Sequence, residues 1–342
     1  MTLNYSGDPV QAAATAADYE RAGVDMIWVA ELYSFDAVSI LGYLAAKTER
    51  MQLASGILPI YSRTPALIAS TAAGLDAVSQ GRFVLGLGAS GPQVIEGWHG
   101  VPYDKTLTRT REIIDICRIV WKRERLSYEG KAYTLPLPAD QGTGLGKPLK
   151  LINHPVREDI PILIASLGHK NVAMTAELAD GWLPVFFHPE KARDVWGDDL
   201  DAGFARRSDS LGPLDIVAGG TVAITDDAEE AKSIRDFARP MTALYVGGMG
   251  SRDQNFYNNV FHRYGYEDEA DKIQQLYLEG KKDEAAALVP DDFLDATALV
   301  GDEGWVKERI EAYKAAGVTH LSITPVGADP LRTIEKVKAW AE

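Results

Sequence analysis

The chain has 342 residues, 46% of them hydrophobic and 25% charged, which is enough to bury a large core as one big α/β domain or two smaller ones. A formal net charge of -14 argues against a nucleic-acid surface or an anionic membrane as the main partner, because both need basic patches; an anionic ligand must be held by local groups. The single cysteine, Cys117, excludes a disulfide framework and a thiolate metal site, which fits a reducing cytoplasm.

The opening "MTLNYSGDP" has no charged segment leading into an apolar one, and no run approaches membrane-spanning length, so a cytosolic protein is expected. "TLNY" (2–5) reads as a first strand, followed by a helix "PVQAAATAADYERAG". Then come strand "DMIWVA" (25–30), helix "SILGYLAAKTE", strand "MQLASG" (51–56) and helix "PALIASTAAGLDAVS". Strand "RFVLGLG" (82–88) leads to helix "TRTREIIDICRIVW" (108–121), whose apolar face takes Cys117 as a small buried hydrophobe. "IPILIAS" (160–166), helix "KNVAMTAELA", "GWLPVFF" (181–187), "LDIVAGGTVAIT" (214–225), "THLSITP" (319–325) and a closing helix "PLRTIEKVKAWA" complete the series.

Short Val-, Ile- and Leu-rich runs separated by amphipathic helices indicate parallel strands covered by helices. Eight such units without a second compositional block favour an α/β fold of the closed (β/α)8 TIM-barrel type, one domain over residues 1–342. A weak internal echo between "DYERAGVDMIWVAE" (18–31) and "EAYKAAGVTHLSIT" (311–324) agrees with repeated αβ turns. Two insertions interrupt the rhythm. Residues 123–159 form a Gly- and Pro-rich excursion after the fourth helix, and residues 226–305 add several helices between strands seven and eight.

In a barrel the chemistry sits in the loops after the strands. Here those loops, "YSGD" (5–8), "AELYSFD" (30–36), "SGILPIYSRTP" (55–65), "GLGASGPQVIEGWHG" (86–100) and "SLGHKN" (166–171) among them, are mostly small, apolar or aromatic, which suits a flat hydrophobic ligand. "GLGASG" spells GxGxxG through Gly86, Gly88 and Gly91, but no helix opens in the glycines and no acid ends a next strand, so a barrel strand end closely approached by a ligand explains it better than a dinucleotide fold. In "ILIASLGHKNVAM", Ser166 and Gly168 precede His169, Lys170 and Asn171 at a helix mouth whose free N–H groups favour a phosphate; the other reading is a simple Gly turn beside a solvated Lys170. The six histidines, His99, His154, His169, His188, His262 and His320, have no metal-binding spacing, and no metal is expected. Glu31 is the one carboxylate that its strand carries to the mouth, either as a turn partner or as a functional group.

The runs "DMIWVAELY", "SGILPIYSRTPALIASTAAGLDAVSQGRFVLGLGASG", "TREIIDICRIVW" and "IPILIASLGHKNVAMTAELADGWLP" together resemble the luciferase-like monooxygenase superfamily, in its branch of coenzyme F420-dependent oxidoreductases. The resemblance spans about residues 2–187. It implies a bulge after the third strand with a non-prolyl cis peptide at Gly56–Ile57, on which the deazaflavin ring rests. It places Gly88, Ala89, Ser90 and Gly91 along the ribityl chain, and Ala165, Ser166 and Gly168 at the phosphate, beside the His169 already picked out. It puts Glu31 beside the ring, where relatives have an acidic residue. Several F420-dependent relatives follow that acid with a catalytic histidine; this chain has Leu32 and then Tyr33, which leaves Glu31, Tyr33, Tyr5 or solvent as the proton source. The implied activity is hydride transfer between C5 of F420 and a small organic substrate, with homodimers as the family habit. Trp98 and Tyr103 stand where they either wall the substrate side or pack their loop. The rival readings are an FMN-dependent monooxygenase on the same barrel and a non-catalytic binder of F420 or flavin.

Overall fold

Asp8 starts the first helix, its carboxylate accepting the backbone N–H groups of Val10 and Gln11 while Pro9 takes the first turn, so that α1 runs Pro9–Arg21. The computed structural model describes residues 1–5, 7–250 and 255–342; residue 6, in the expected "YSGD" loop, and residues 251–254, in the second excursion, lie outside the described residues. The chain divides into two units, one of residues 1–165, 174–181 and 207–214, the other of residues 166–173, 182–206 and 215–342.

In the first unit, strand and helix alternate as β1 Met26–Val29, α2 Ala37–Ala45, β2 Gln52–Ser55, β3 Leu58–Pro59, α3 Pro65–Val78, β4 Phe83–Gly88, α4 Pro92–Gly97 and α5 Thr106–Trp121. A small antiparallel hairpin, β5 Tyr128–Glu129 and β6 Thr134–Leu135, lies in the first excursion, and β7 Ile162–Ala165 follows. The larger strands pair in parallel, β1 with β2, β2 with β4 and β4 with β7, with Ile27 opposite Leu53, Leu53 opposite Phe83 and Gly86 opposite Leu163. Nearly every residue on them is buried, as expected of parallel strands covered on both faces. The core joins Ile27, Leu41, Leu53, Phe83 and Ile114 to Trp121, whose indole N–H reaches Ala69 O at 2.9 Å. Residues 2–5 do not form the strand expected of them: only Thr2 makes a parallel bridge, to Trp28.

After β7 come α6 His169–Leu178 and β8 Gly181–Trp182, then α7 Ala192–Phe204. The predicted strand over 214–225 is two strands, β9 Asp215–Ala218 and β10 Thr221–Ile224. Gly219 and Gly220 separate them, and at each a Cβ would lie 2.1 Å from a carbonyl oxygen, of Ser322 and Thr297 respectively, so that only glycine allows the crossing. The second excursion folds as α8 Ala228–Asp236, α9 Arg239–Gly248, α10 Phe256–Arg263, α11 Glu267–Leu278, α12 Lys282–Ala287 and α13 Asp291–Thr297, then an unforeseen strand β11 Leu299–Gly301 and α14 Glu303–Ala315. The final predicted strand is also split, into β12 His320–Leu321 and β13 Thr324–Pro325, before α15 Pro330–Ala341. β9 pairs in parallel with β12, and β10 in parallel with both β11 and β13. Among the described residues no helix is long and apolar enough to cross a membrane.

Candidate functional site

The polar residue that interrupts the third predicted strand is a lock. Ser55 is fully buried, and its hydroxyl donates to Gly86 O (2.8 Å) while accepting from the Gly86 N–H (2.9 Å), so a hydroxyl in an apolar run has both partners on β4. The next peptide bond, Gly56–Ile57, is cis, as the resemblance implied. Gly56 N–H donates to Val29 O on β1 (2.9 Å), and Ile60 N–H donates to Gly88 O on β4 (3.0 Å), which ties the chain down on both sides of the bend. Gly56 and Ile57 remain partly accessible between buried Leu53–Ser55 and buried Leu58–Ile60. A Cβ at 88 would lie 2.9 Å from Ile57 Cδ1, so any larger residue there makes the Ile57 side chain shift; the room at that position is taken by Ile57 itself.

The loop after β1 is fastened at both ends. Glu31 is buried, and its two carboxylate oxygens accept from Arg63 Nη1 (2.5 Å) and Nη2 (2.8 Å) and from the Ala37 N–H at the start of α2 (2.9 Å). The Tyr5 hydroxyl donates to Ala30 O and lies 3.0 Å from Ser34 Oγ. Between these two fastenings Leu32, Tyr33 and Phe35 face solvent. In the sequence Arg63 is only one residue of the "SGILPIYSRTP" loop; an arginine amid apolar and aromatic loop residues was the available signal.

After β4, Ala89, Ser90 and Gly91 are half-buried, and Ser90 holds a left-handed conformation with φ 58°, unusual outside glycine. Tyr103 donates to Ser90 O (3.1 Å) and its ring lies 5.3 Å from that of Tyr61, so it braces this loop. Gly91 caps α4, which carries Trp98 just past its end with most of the indole exposed.

In the second unit, Ser166 O accepts the Trp182 indole N–H (2.9 Å) and Leu167 O accepts that of Trp196 (3.0 Å), fixing the backbone before α6. Gly168 O accepts the N–H groups of Asn171 and Val172 (both 2.9 Å). His169 Nδ1 pairs with Asp199 at 2.9 Å, and Arg263 Nη2 approaches the same carboxylate at 3.5 Å. His169 and Lys170 stand exposed at the helix start. Ala165, the last residue of β7 in the first unit, is half-buried.

Elsewhere the histidines are dispersed: His154 meets Arg123, His262 meets Asp271, and His320 opens β12. Among the described residues no group of His, Cys, Asp or Glu is arranged to hold a metal. Cys117 is fully buried on α5, and that burial pushes its thiol up, away from thiolate chemistry.

A model of the luciferase-like monooxygenase family matches residues 1–320. A putative coenzyme F420-dependent oxidoreductase of Mycobacterium tuberculosis is 42% identical over 341 residues, 98% of this chain and 96% of the relative. The 5,10-methylenetetrahydromethanopterin reductase of Archaeoglobus fulgidus is 30% identical over 326 residues, 93% of this chain and 90% of the relative. Among solved structures, the coenzyme F420-dependent tetrahydromethanopterin reductase of Methanopyrus kandleri shares the fold with a TM-score of 0.79, at 24% identity, over 99% of this chain and 95% of that one.

Proposed function

The chain belongs to the luciferase-like monooxygenase family, and from that premise we propose that it is a coenzyme F420-dependent oxidoreductase that moves a hydride between the deazaflavin C5 and a carbonyl, activated alkene or alcohol carbon of a small organic substrate. The observation that carries the reading is the bend at Gly56 and Ile57, two partly accessible residues between buried Leu53–Ser55 and buried Leu58–Ile60, pinned to β1 and β4. These residues fit a flat ring as a shelf: Gly56 and Ile57 are apolar, and the backbone on both sides of them is hydrogen-bonded to neighbouring strands.

When bound, the cofactor supplies the hydride-donating or hydride-accepting carbon, and the protein's share is orientation and exclusion of water. Gly56 and Ile57 hold the ring, with Ile57 fixed against Gly88. Ala89, Ser90 and Gly91 lie along the chain that follows the ring, and Tyr5 binds indirectly by latching the β1 loop. Glu31 keeps that loop in register through Arg63 and Ala37, and both of its oxygens are occupied by donors. Tyr33 then presents the phenol free to hold or move a proton at the substrate, in the place where relatives carry histidine one residue earlier. The phosphate assignment rests on the second unit by itself: Ser166, Gly168 and His169, with Ala165 just before them, stand at the N-terminal end of α6, where the helix dipole favours an anion. A closed (β/α)8 barrel over residues 1–342 as one domain, a homodimer and a cytoplasmic location belong to the same proposal.

The test is turnover. Reduced F420 bound to the purified protein is offered a panel of ketones and enones, and the return of oxidised F420 absorbance is followed. Oxidation that depends on an acceptor supports the reading; binding without turnover of any acceptor points to a carrier of the cofactor.

A further inference from the structure

Tyr33 and Trp98 are the most exposed aromatic side chains of the β1 and β4 loops, 70% and 65% accessible, and both line one hollow of about 250 Å³ in the first unit, together with Gln93, Val94 and Gly97. Large apolar rings left in water need a reason when they converge. The hollow has no charged residue in its lining, and its polar side-chain groups are three: the Gln93 amide, the Tyr33 phenol and the Trp98 indole N–H. One wall is stiff, since Tyr33 sits between the Tyr5 latch and the Glu31–Arg63 ion pair. The other wall rises from α4, which begins four residues past Gly88, the glycine on which Ile57 rests. The hollow is thus built from the two loops that leave the strands flanking the bulge.

We propose that this hollow is the substrate subsite, and that it selects planar, uncharged compounds of one or two fused rings bearing a carbonyl group. Two rigid aromatic side chains order at low entropic cost and reward a flat partner through stacking, which a puckered ring of equal size cannot match. The hollow is open to solvent, and its volume of about 250 Å³ accommodates a small ring system. An anion finds no cation in the lining, and a sugar finds three polar side chains where it needs many hydrogen-bond partners. The carbonyl oxygen of the guest takes the Gln93 amide N–H. The substrate role, though not the binding itself, rests on the function proposed above.

Calorimetric titration of the full chain without cofactor tests the selection. The probes are 1-indanone, which is planar and uncharged, cyclohexyl methyl ketone, which is puckered, and benzoate, which is charged. 1-Indanone is expected to bind at least about tenfold more tightly than the other two. Trp98→Leu is expected to weaken it by about tenfold, Trp98→Phe to restore most of the loss, and F420 affinity measured on the same Trp98→Leu sample to stay unchanged. Equal binding of the three probes, or full 1-indanone affinity in Trp98→Leu, overturns the inference. If wild-type protein binds 1-indanone in this way and fails to bind F420, the subsite stands and the cofactor reading falls.

Discussion

Arg63, on the chain that leaves the bulge, grips Glu31 at the end of β1 with both guanidinium nitrogens, at 2.5 and 2.8 Å, and the two side chains are 13% and 7% exposed. The pair joins the loop that carries Tyr33 to the segment that carries the cis bond, so one ion pair sets the spacing of two expected walls. Removing one partner of a buried pair leaves the other charge without compensation. Arg63→Ala is therefore expected to lower stability by about 3–5 kcal/mol, with Arg63→Lys in between because an ammonium cannot reproduce the fork. Urea unfolding of the three proteins measures this, and a loss under about 1 kcal/mol in Arg63→Ala would contradict it.

Gly88→Ala tests the contact beneath the bulge. The new methyl would sit 2.9 Å from Ile57 Cδ1, so Ile57 has to move. A stability loss of about 1–3 kcal/mol is expected, together with a clear weakening of F420 binding, because the displaced residue is half of the proposed shelf. Unchanged cofactor affinity in a folded Gly88→Ala variant would separate Ile57 from the ring.

His188, buried in the second unit, gives a pH signature. Burial, and behind it the charges of Lys191 and Arg309, hold its imidazole below the usual histidine value, against the opposing pull of Glu190 and Asp292. Its Nδ1 is 3.2 Å from Glu190 Oε2 but makes no hydrogen bond. The unfolded chain therefore binds a proton at this site more readily than the folded one, so its contribution to stability is fully present above the ordinary histidine value of 6.5 and is lost as pH falls through the lower folded value. Unfolding free energies at neutral and mildly acidic pH are expected to fall with acidity, and less steeply in His188→Gln.

Cys117 is expected to resist thiol reagents in the native state and to react fully in denaturant, since it has no exposed surface and its thiol is pushed up by burial. Rapid labelling of the native protein would contradict this placement.

Much of the first unit was legible because parallel strands write themselves as dense Val, Ile and Leu runs separated by helical segments; the caps Asp8, Asp36 and Thr64 fix where the helices start. What stayed hidden depends on partners far along the chain. Gly219 and Gly220 read as ordinary strand glycines until Ser322 O and Thr297 O are seen pressed against them. β11 is three residues long and carries no periodicity to detect. Glu112 looks like one more helical acid, yet it is buried and accepts the N–H groups of Lys131, Ala132 and Tyr133, organising the hairpin turn. At the site, the cis bond was carried by family resemblance and not by local propensity, whereas the role of Arg63 needed a carboxylate 32 residues away.

The central claim is that the bulge at Gly56–Ile57 serves a deazaflavin. Equilibrium fluorescence titration of the purified chain with F420 and, separately, with FMN tests it most directly. The account predicts saturable binding of F420 and markedly weaker binding of FMN. Tight FMN binding with no binding of F420 would contradict it and turn the search toward oxygen-dependent monooxygenation.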